Sequence, residues 1–231
     1  MRIVMSWSGG KDGAYGLWRL QQEARYEVAG LLTTVTEGYD RVSMHGVRSV
    51  LLRAQAEALG LPLHTIPIPP DCPNDLYEVR MEAAVSGLMA NGVEGVAFGD
   101  LFLADIRAYR ERNCARIGIA ALFPLWGEAT AALARRMISE GLRARLCCID
   151  PRRIARDMAG REFDAALLES LPAGVDPCGE NGEFHTFVHA APNMRKPIPL
   201  RAGEIVEREG FVFADLLPDP VPAEAMAGES A

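Results

Sequence analysis

With 231 residues, 49% apolar and 24% charged, the chain has ordinary globular composition, which excludes disordered and fibrous classes. That length buries a sizeable core and suits one large domain with a smaller partner. The formal net charge of −7 argues against a phosphate-backbone footprint, because nucleic-acid domains concentrate Lys and Arg above their acids; small molecules are the expected partners and nucleic acid is not.

The apolar run Ile3–Met5 reads as a strand, followed by a helix over Asp12–Ala24 with Ala14, Leu17, Trp18 and Gln21 on one face. Val28–Val35 is a second strand. A helix over His45–Leu59 follows, with Val50, Leu51, Ala54 and Ala58 inward and Gly60 at its stop. Leu63–Ile68 is a third strand, closed by Pro67, Pro69 and Pro70, and Asn74 is expected to cap a helix over Asp75–Asn91. Gly95–Phe98, Ala104–Ile117 and Ala121–Leu125 complete the series as strand, helix and strand.

Five short apolar strands alternating with helices predict parallel βαβ units, hence a Rossmann-like α/β domain over residues 1–127 with a five-stranded parallel sheet covered by helices on both faces. Ligands of such sheets bind beyond the carboxyl ends of the strands, which selects Ser6–Gly13, Thr33–Thr36, Phe98–Asp100 and Leu125–Gly127 as rim segments. From Glu128 the rhythm changes. A helix over Thr130–Glu140, a strand over Ala144–Ile149, a short helix over Phe163–Leu171 and a hairpin of Glu204–Arg208 with Phe211–Leu216 predict a smaller α+β domain over 128–218, and 219–231 reads as a frayed tail.

No apolar run approaches the roughly 20 residues of a membrane span, and no signal region precedes the first strand, so neither insertion nor export is expected. Five cysteines, two of them adjacent at Cys147 and Cys148, make no evenly spaced disulfide framework, and a reducing cytoplasm is the expected compartment.

The chemistry begins at Ser8-Gly9-Gly10-Lys11. A glycine-rich turn between strand and helix exposes backbone N–H groups toward an anion, the helix N-terminus adds about half a positive charge, and Lys11 adds a full one. The mononucleotide P-loop pattern fails, since Met5 stands where its first glycine belongs and Asp12 follows Lys11; the dinucleotide fingerprint fails because the loop has no Gly-x-Gly. Asp100, an acid at the carboxyl end of a strand, is a candidate Mg²⁺ or substrate ligand. Trp126 is the aromatic selected for stacking on adenine. Cys178 and His185 lack the second pair that a zinc site needs.

Ser8-Gly9-Gly10-Lys11-Asp12 resembles the PP-loop signature Ser-Gly-Gly-Lys-Asp-Ser of the N-type ATP pyrophosphatases, with Gly13 at the final position. Ser43-Met44-His45, Val96-Ala97-Phe98-Gly99-Asp100, Pro124-Leu125-Trp126 and Gly179-Glu180-Asn181-Gly182-Glu183-Phe184-His185-Thr186 are together similar to the diphthine–ammonia ligase family, from about Arg2 to Pro218. Asn181 and His185 differ from the glycine and glutamate expected in the late motif of the diphthine branch.

The resemblance implies a HUP-type domain that binds Mg-ATP, a carboxylate-bearing substrate (small molecule or modified protein side chain) and ammonia. The carboxylate would attack the α-phosphate with loss of pyrophosphate, and ammonia would displace AMP to give an amide. Ser6, Ser8, Gly9, Gly10, Lys11, Asp12 and Gly13 would hold the phosphates, with Thr33, Thr34 and His45 near the nucleotide and Gly99 and Asp100 on the same rim. Lys11 and Asp100 count as catalytic, as do Glu180, Glu183 and His185, which would work on ammonia or orient the activated acyl group. A tRNA-modifying PP-loop enzyme and a nucleotide-sensing module without turnover are the alternatives. The acyl substrate, the ammonia source and the oligomeric state, homodimer included, stay open.

Overall fold

The computed structural model describes residues 1–38, 41–42 and 46–219. Its first half runs β1 (Arg2–Ser6), α1 (Lys11–Gln21), β2 (Glu27–Thr36), β3 (Arg41–Val42), α2 (Ser49–Leu59), β4 (Leu63–Ile68), α3 (Asn74–Met89), β5 (Gly95–Ala97), α4 (Ala104–Arg116) and β6 (Ala120–Leu122). The parallel strands lie in the order β4-β2-β1-β5-β6, and β3 adds a short antiparallel edge to β2. This is the expected five-stranded parallel sheet of a Rossmann-like domain. Chain direction across the sheet reverses between β1 and β5, the switch point at which such folds open a crevice.

β1 is apolar on both sides because both faces are covered. Ile3 and Met5 enter a core shared with α1, α2 and α5 (Thr130–Ser139), while Val4 enters a second core with Leu32, Ile66, Val96 and residues of α3 and α4. All three are 0% exposed, so period-two alternation selects between two cores and no polar residue is admitted.

After α5 come β7 (Arg143–Ile149), a 3₁₀ turn at Arg156–Met158, α6 (Ala165–Ser170), β8 (Phe184–Ala190), β9 (Leu200–Arg208) and β10 (Phe211–Pro218). β8-β7-β10-β9 form an antiparallel sheet. Leu146, Phe187 and Val212 of this sheet belong to the same core as Ile3, Met5 and Leu17, so the two sheets are joined by apolar packing. Among the described residues no helix is long and apolar enough to cross a membrane.

Several local expectations change. Asn74 does not cap α3 but begins it, after Pro73 at φ −59°, and its Nδ2 turns to Glu78 Oε1 at 2.9 Å. The fixed φ of proline makes it a natural entry to a helix. α2 starts at Ser49 behind an extended Arg48, later than the predicted His45; Ser43, Met44 and His45 lie outside the described residues. β3 and β8 have no counterpart among the predicted elements, and β9 starts at Leu200, before the predicted Glu204.

Candidate nucleotide site

A cavity of about 1070 Å³ opens at the carboxyl ends of β1, β2, β4 and β5, on the large side of ordinary small-molecule sites. Ser6, Ser8, Gly10, Lys11, Asp12 and Gly13 line it from the first loop, Thr33 and Thr34 from β2, and Gly99 and Asp100 from the loop after β5. Glu180 and His185 line it from the opposite side, brought there by the turn that leads into β8.

The loop between β1 and α1 is held by α2 and by β8 of the antiparallel sheet. Gly9 takes φ +83°, and a Cβ there would lie 2.9 Å from Gln55 Oε1 and 3.0 Å from Leu52, so glycine is required on both conformational and steric grounds. Its carbonyl accepts from Val188 N of β8 at 2.9 Å and from Gln55 Nε2 at 3.0 Å. Gln55 is fully buried on α2; its Oε1 also accepts from Trp7 Nε1 at 2.9 Å and its Nε2 donates to Val188 O at 2.6 Å. At the start of α1, no side chain of the preceding loop caps the helix; Thr186 of β8 does so from across the cavity, its Oγ1 accepting from Lys11 N at 3.1 Å. Thr186 closes the late motif but was given no role from sequence, and Gln55 lies in no motif, although a lone glutamine among Leu51, Leu52 and Ala58 on the inner face of α2 marks a buried polar anchor.

Lys11 is 2% exposed. Its ammonium pairs with Asp12 at 2.8 Å, donates to the Cys178 carbonyl and sits 5.5 Å and 5.6 Å from the ring centroids of Phe184 and Phe163. Burial works against the charge, but Asp12, Cys178 and Glu180 outweigh it and Lys11 stays protonated. Glu180 Oε1 accepts from Leu101 N at 2.7 Å, and burial, reinforced by Asp12 and Asp100 and opposed by that hydrogen bond and Lys11, pushes its carboxyl up to about 7. Burial and the neighbouring Lys11 push His185 down to about 4, so it is a neutral imidazole at ordinary pH. Burial also raises Asp100, against the pull of Arg110. Thr33 Oγ1 and Asp100 Oδ2 are buried atoms with no hydrogen-bond partner.

Among the described residues, three named from sequence are not among those lining the cavity. Gly9 lies behind the loop, against Gln55 and Leu52. Glu183 is 0% exposed, and its carboxylate faces inward: Oε1 accepts from Asp176 N at 3.0 Å and Arg153 Nη2 at 3.1 Å, and Oε2 from Asn181 N at 3.0 Å. It ties the 176–183 turn that carries Glu180. Trp126 stands edge-on to Phe123, centroids 6.0 Å apart, with the Arg107 guanidinium 4.7 Å over its ring; of the four rim segments, Leu125–Gly127 is the one outside the cavity lining. The reason is Leu125, fully buried in the core, which draws its neighbours away from the crevice. Among the described residues no group of three or more His, Cys, Asp or Glu could hold a metal ion.

A Rossmann-like domain whose Ser-Gly-Gly-Lys-Asp loop lies at the switch point defines a PP-loop protein of the adenine nucleotide alpha hydrolase class. Residues 1–121 match the diphthamide synthase N-terminal domain and residues 129–215 the diphthamide synthase C-terminal domain. A diphthine–ammonia ligase of Danio rerio is 30% identical over 93% of this chain and 92% of its own; those of Bos taurus and Homo sapiens are each 28% identical over 93% of this chain and 88% of theirs. The chain belongs to the diphthamide synthase family.

Proposed function

We propose that this protein is an ATP-dependent amide-forming ligase that acts on diphthine or a similar carboxylate: the carboxylate attacks the α-phosphate, pyrophosphate leaves, and ammonia then displaces AMP. The observation that carries the reading is the approach of Lys11, at the start of α1, and Glu180, in the turn before β8, to one cavity. Lys11 and the N-terminus of α1 would bind the departing pyrophosphate, whose negative charge a fixed dipole and a buried ammonium stabilise without reorganising. Thr33, with a buried hydroxyl that lacks a partner, offers the nucleotide a hydrogen bond.

Glu180 suits the second half of the reaction. Ammonium must lose a proton before it can attack, and a carboxylate poised near neutrality accepts it efficiently. Glu183 holds the turn that presents Glu180, and His185, being neutral, can donate or accept a hydrogen bond without adding charge beside Lys11. Asp100 Oδ2 fits a Mg²⁺ ligand, since this ion is ordinarily held by one or two carboxylates together with substrate phosphates; bound there it would neutralise phosphate charge.

Incubation with α-labelled ATP, ammonium and a diphthine-bearing protein tests the reading. AMP, equimolar pyrophosphate and the amide are expected; ADP as the nucleotide product would overturn it.

A further inference from the structure

Arg110, on α4, lines the same cavity and is used by none of the chemistry above. Its guanidinium lies over Phe98, 5.1 Å from the ring centroid, which holds the group on an aromatic face. Arg110 Nε is buried and donates no hydrogen bond, and Asp100 Oδ2, also buried, accepts none. The two atoms are 3.8 Å apart, a loose ion pair too long for a hydrogen bond. A buried donor left in this way gains by the arrival of an acceptor from outside the chain.

Charge points in the same direction. Among the described residues, Lys11 and Arg110 are the lysine and arginine side chains that line the cavity, set against Asp12, Asp71, Asp100, Glu180 and Glu209. Lys11 is already engaged by Asp12 and the Cys178 carbonyl. A nucleotide and a carboxylate acceptor would bring further negative charge into this acidic space, and Arg110, which Asp100 holds only at 3.8 Å, is the cation better placed to offset it. Its planar fork matches a carboxylate at two points, which an ammonium cannot do. The position also suits the reaction: Gly99, next to Asp100, packs so closely on the phosphate loop that a Cβ there would lie 2.8 Å from Gly13 N.

We propose that Arg110 binds the carboxylate of the acceptor, taking it on the Asp100 side of the cavity and holding it beside the phosphate loop. The inference rests on the ligase reading. Two variants and one spectrum test it. Arg110→Met keeps the stem on Phe98 and removes the fork; Arg110→Lys keeps charge alone. With folding checked by thermal melting, Arg110→Met should raise KM for the diphthine-bearing acceptor about 10- to 100-fold, the range of a charged hydrogen bond. Its Kd for α,β-methylene-ATP should stay within about threefold, and Arg110→Lys should recover only part of the loss. In the wild-type protein, a diphthine-containing peptide should shift the ¹H–¹⁵N resonance of Arg110 Nε. An unchanged KM, a parallel loss of nucleotide affinity, or an unmoved resonance overturns the assignment. A shifted resonance without AMP formation sinks the ligase reading and leaves Arg110 as a carboxylate receptor; AMP formation with an unmoved resonance does the reverse.

Discussion

Gly13 and Gly99 touch backbone to backbone, yet only one of them needs to be glycine. A Cβ on Gly99 would lie 2.8 Å from Gly13 N and 3.0 Å from the carbonyl carbon of Asp12, whereas a Cβ on Gly13 would meet nothing closer than the Ser6 carbonyl at 3.7 Å. The absence of the usual PP-loop serine at position 13 is therefore not imposed by Cβ packing.

Gly13→Ser should fold and gain about 0.5 kcal/mol, because glycine inside a helix is costlier than serine. Gly99→Ala should lose about 1–3 kcal/mol and weaken nucleotide binding, since backbone must move to admit the methyl group. Urea unfolding and calorimetric ATP titration of both variants check the contrast; equal behaviour would contradict it.

Lys11→Met should abolish AMP formation and cost about 3 kcal/mol, because Asp12 is left without its buried partner. Pairing it with Asp12→Asn should restore most of the stability and none of the activity. A double variant as unstable as the single one would show that the lysine acts through more than this pair.

Glu183→Gln places an amide N–H among donors that now converge on a carboxylate, from Asp176, Asn181 and Arg153. A loss of about 2 kcal/mol or more in stability is expected, together with slower amide formation and unchanged affinity for ATP. If Glu183 instead transferred the proton, the variant would melt like the wild type and its rate would lose a pH-dependent limb.

Glu180 should set the pH dependence. Its carboxyl rises from 4.5 to about 7, so the folded protein holds the proton more tightly than the unfolded chain; this contribution to stability is complete below 4.5 and is lost as pH rises through 7. Activity runs the other way, rising through an apparent pKa of about 7 as the base forms. Glu180→Gln should remove that limb and flatten the fall in melting temperature over the same window. His185, at about 4, is already neutral there, and His185→Asn should leave the midpoint in place.

The parallel sheet was legible because its signals are local: Ile3–Met5 is apolar at every position, and glycines break strand from helix. The late region was less so. β8 carries Thr186 and Val188, which hold the phosphate loop from 175 and 179 residues away, and its run Phe184–Ala190 mixes histidines with apolar residues in a way no alternation rule reads as a strand. Likewise, two acids in one motif look alike in sequence, but Glu180 faces the cavity while Glu183 faces four hydrogen-bond donors beneath it.

From sequence alone came the fold class, the phosphate loop with Lys11, and the family likeness, all of which depend on residues adjacent in the chain. Tertiary structure alone decided that Gln55 and Thr186 clamp that loop, that Trp126 stands outside the cavity, and that Arg110 meets Asp100 there. The physical reason is that a side chain's role follows from which neighbours bury it, and those neighbours are chosen by the packing of two sheets on one core.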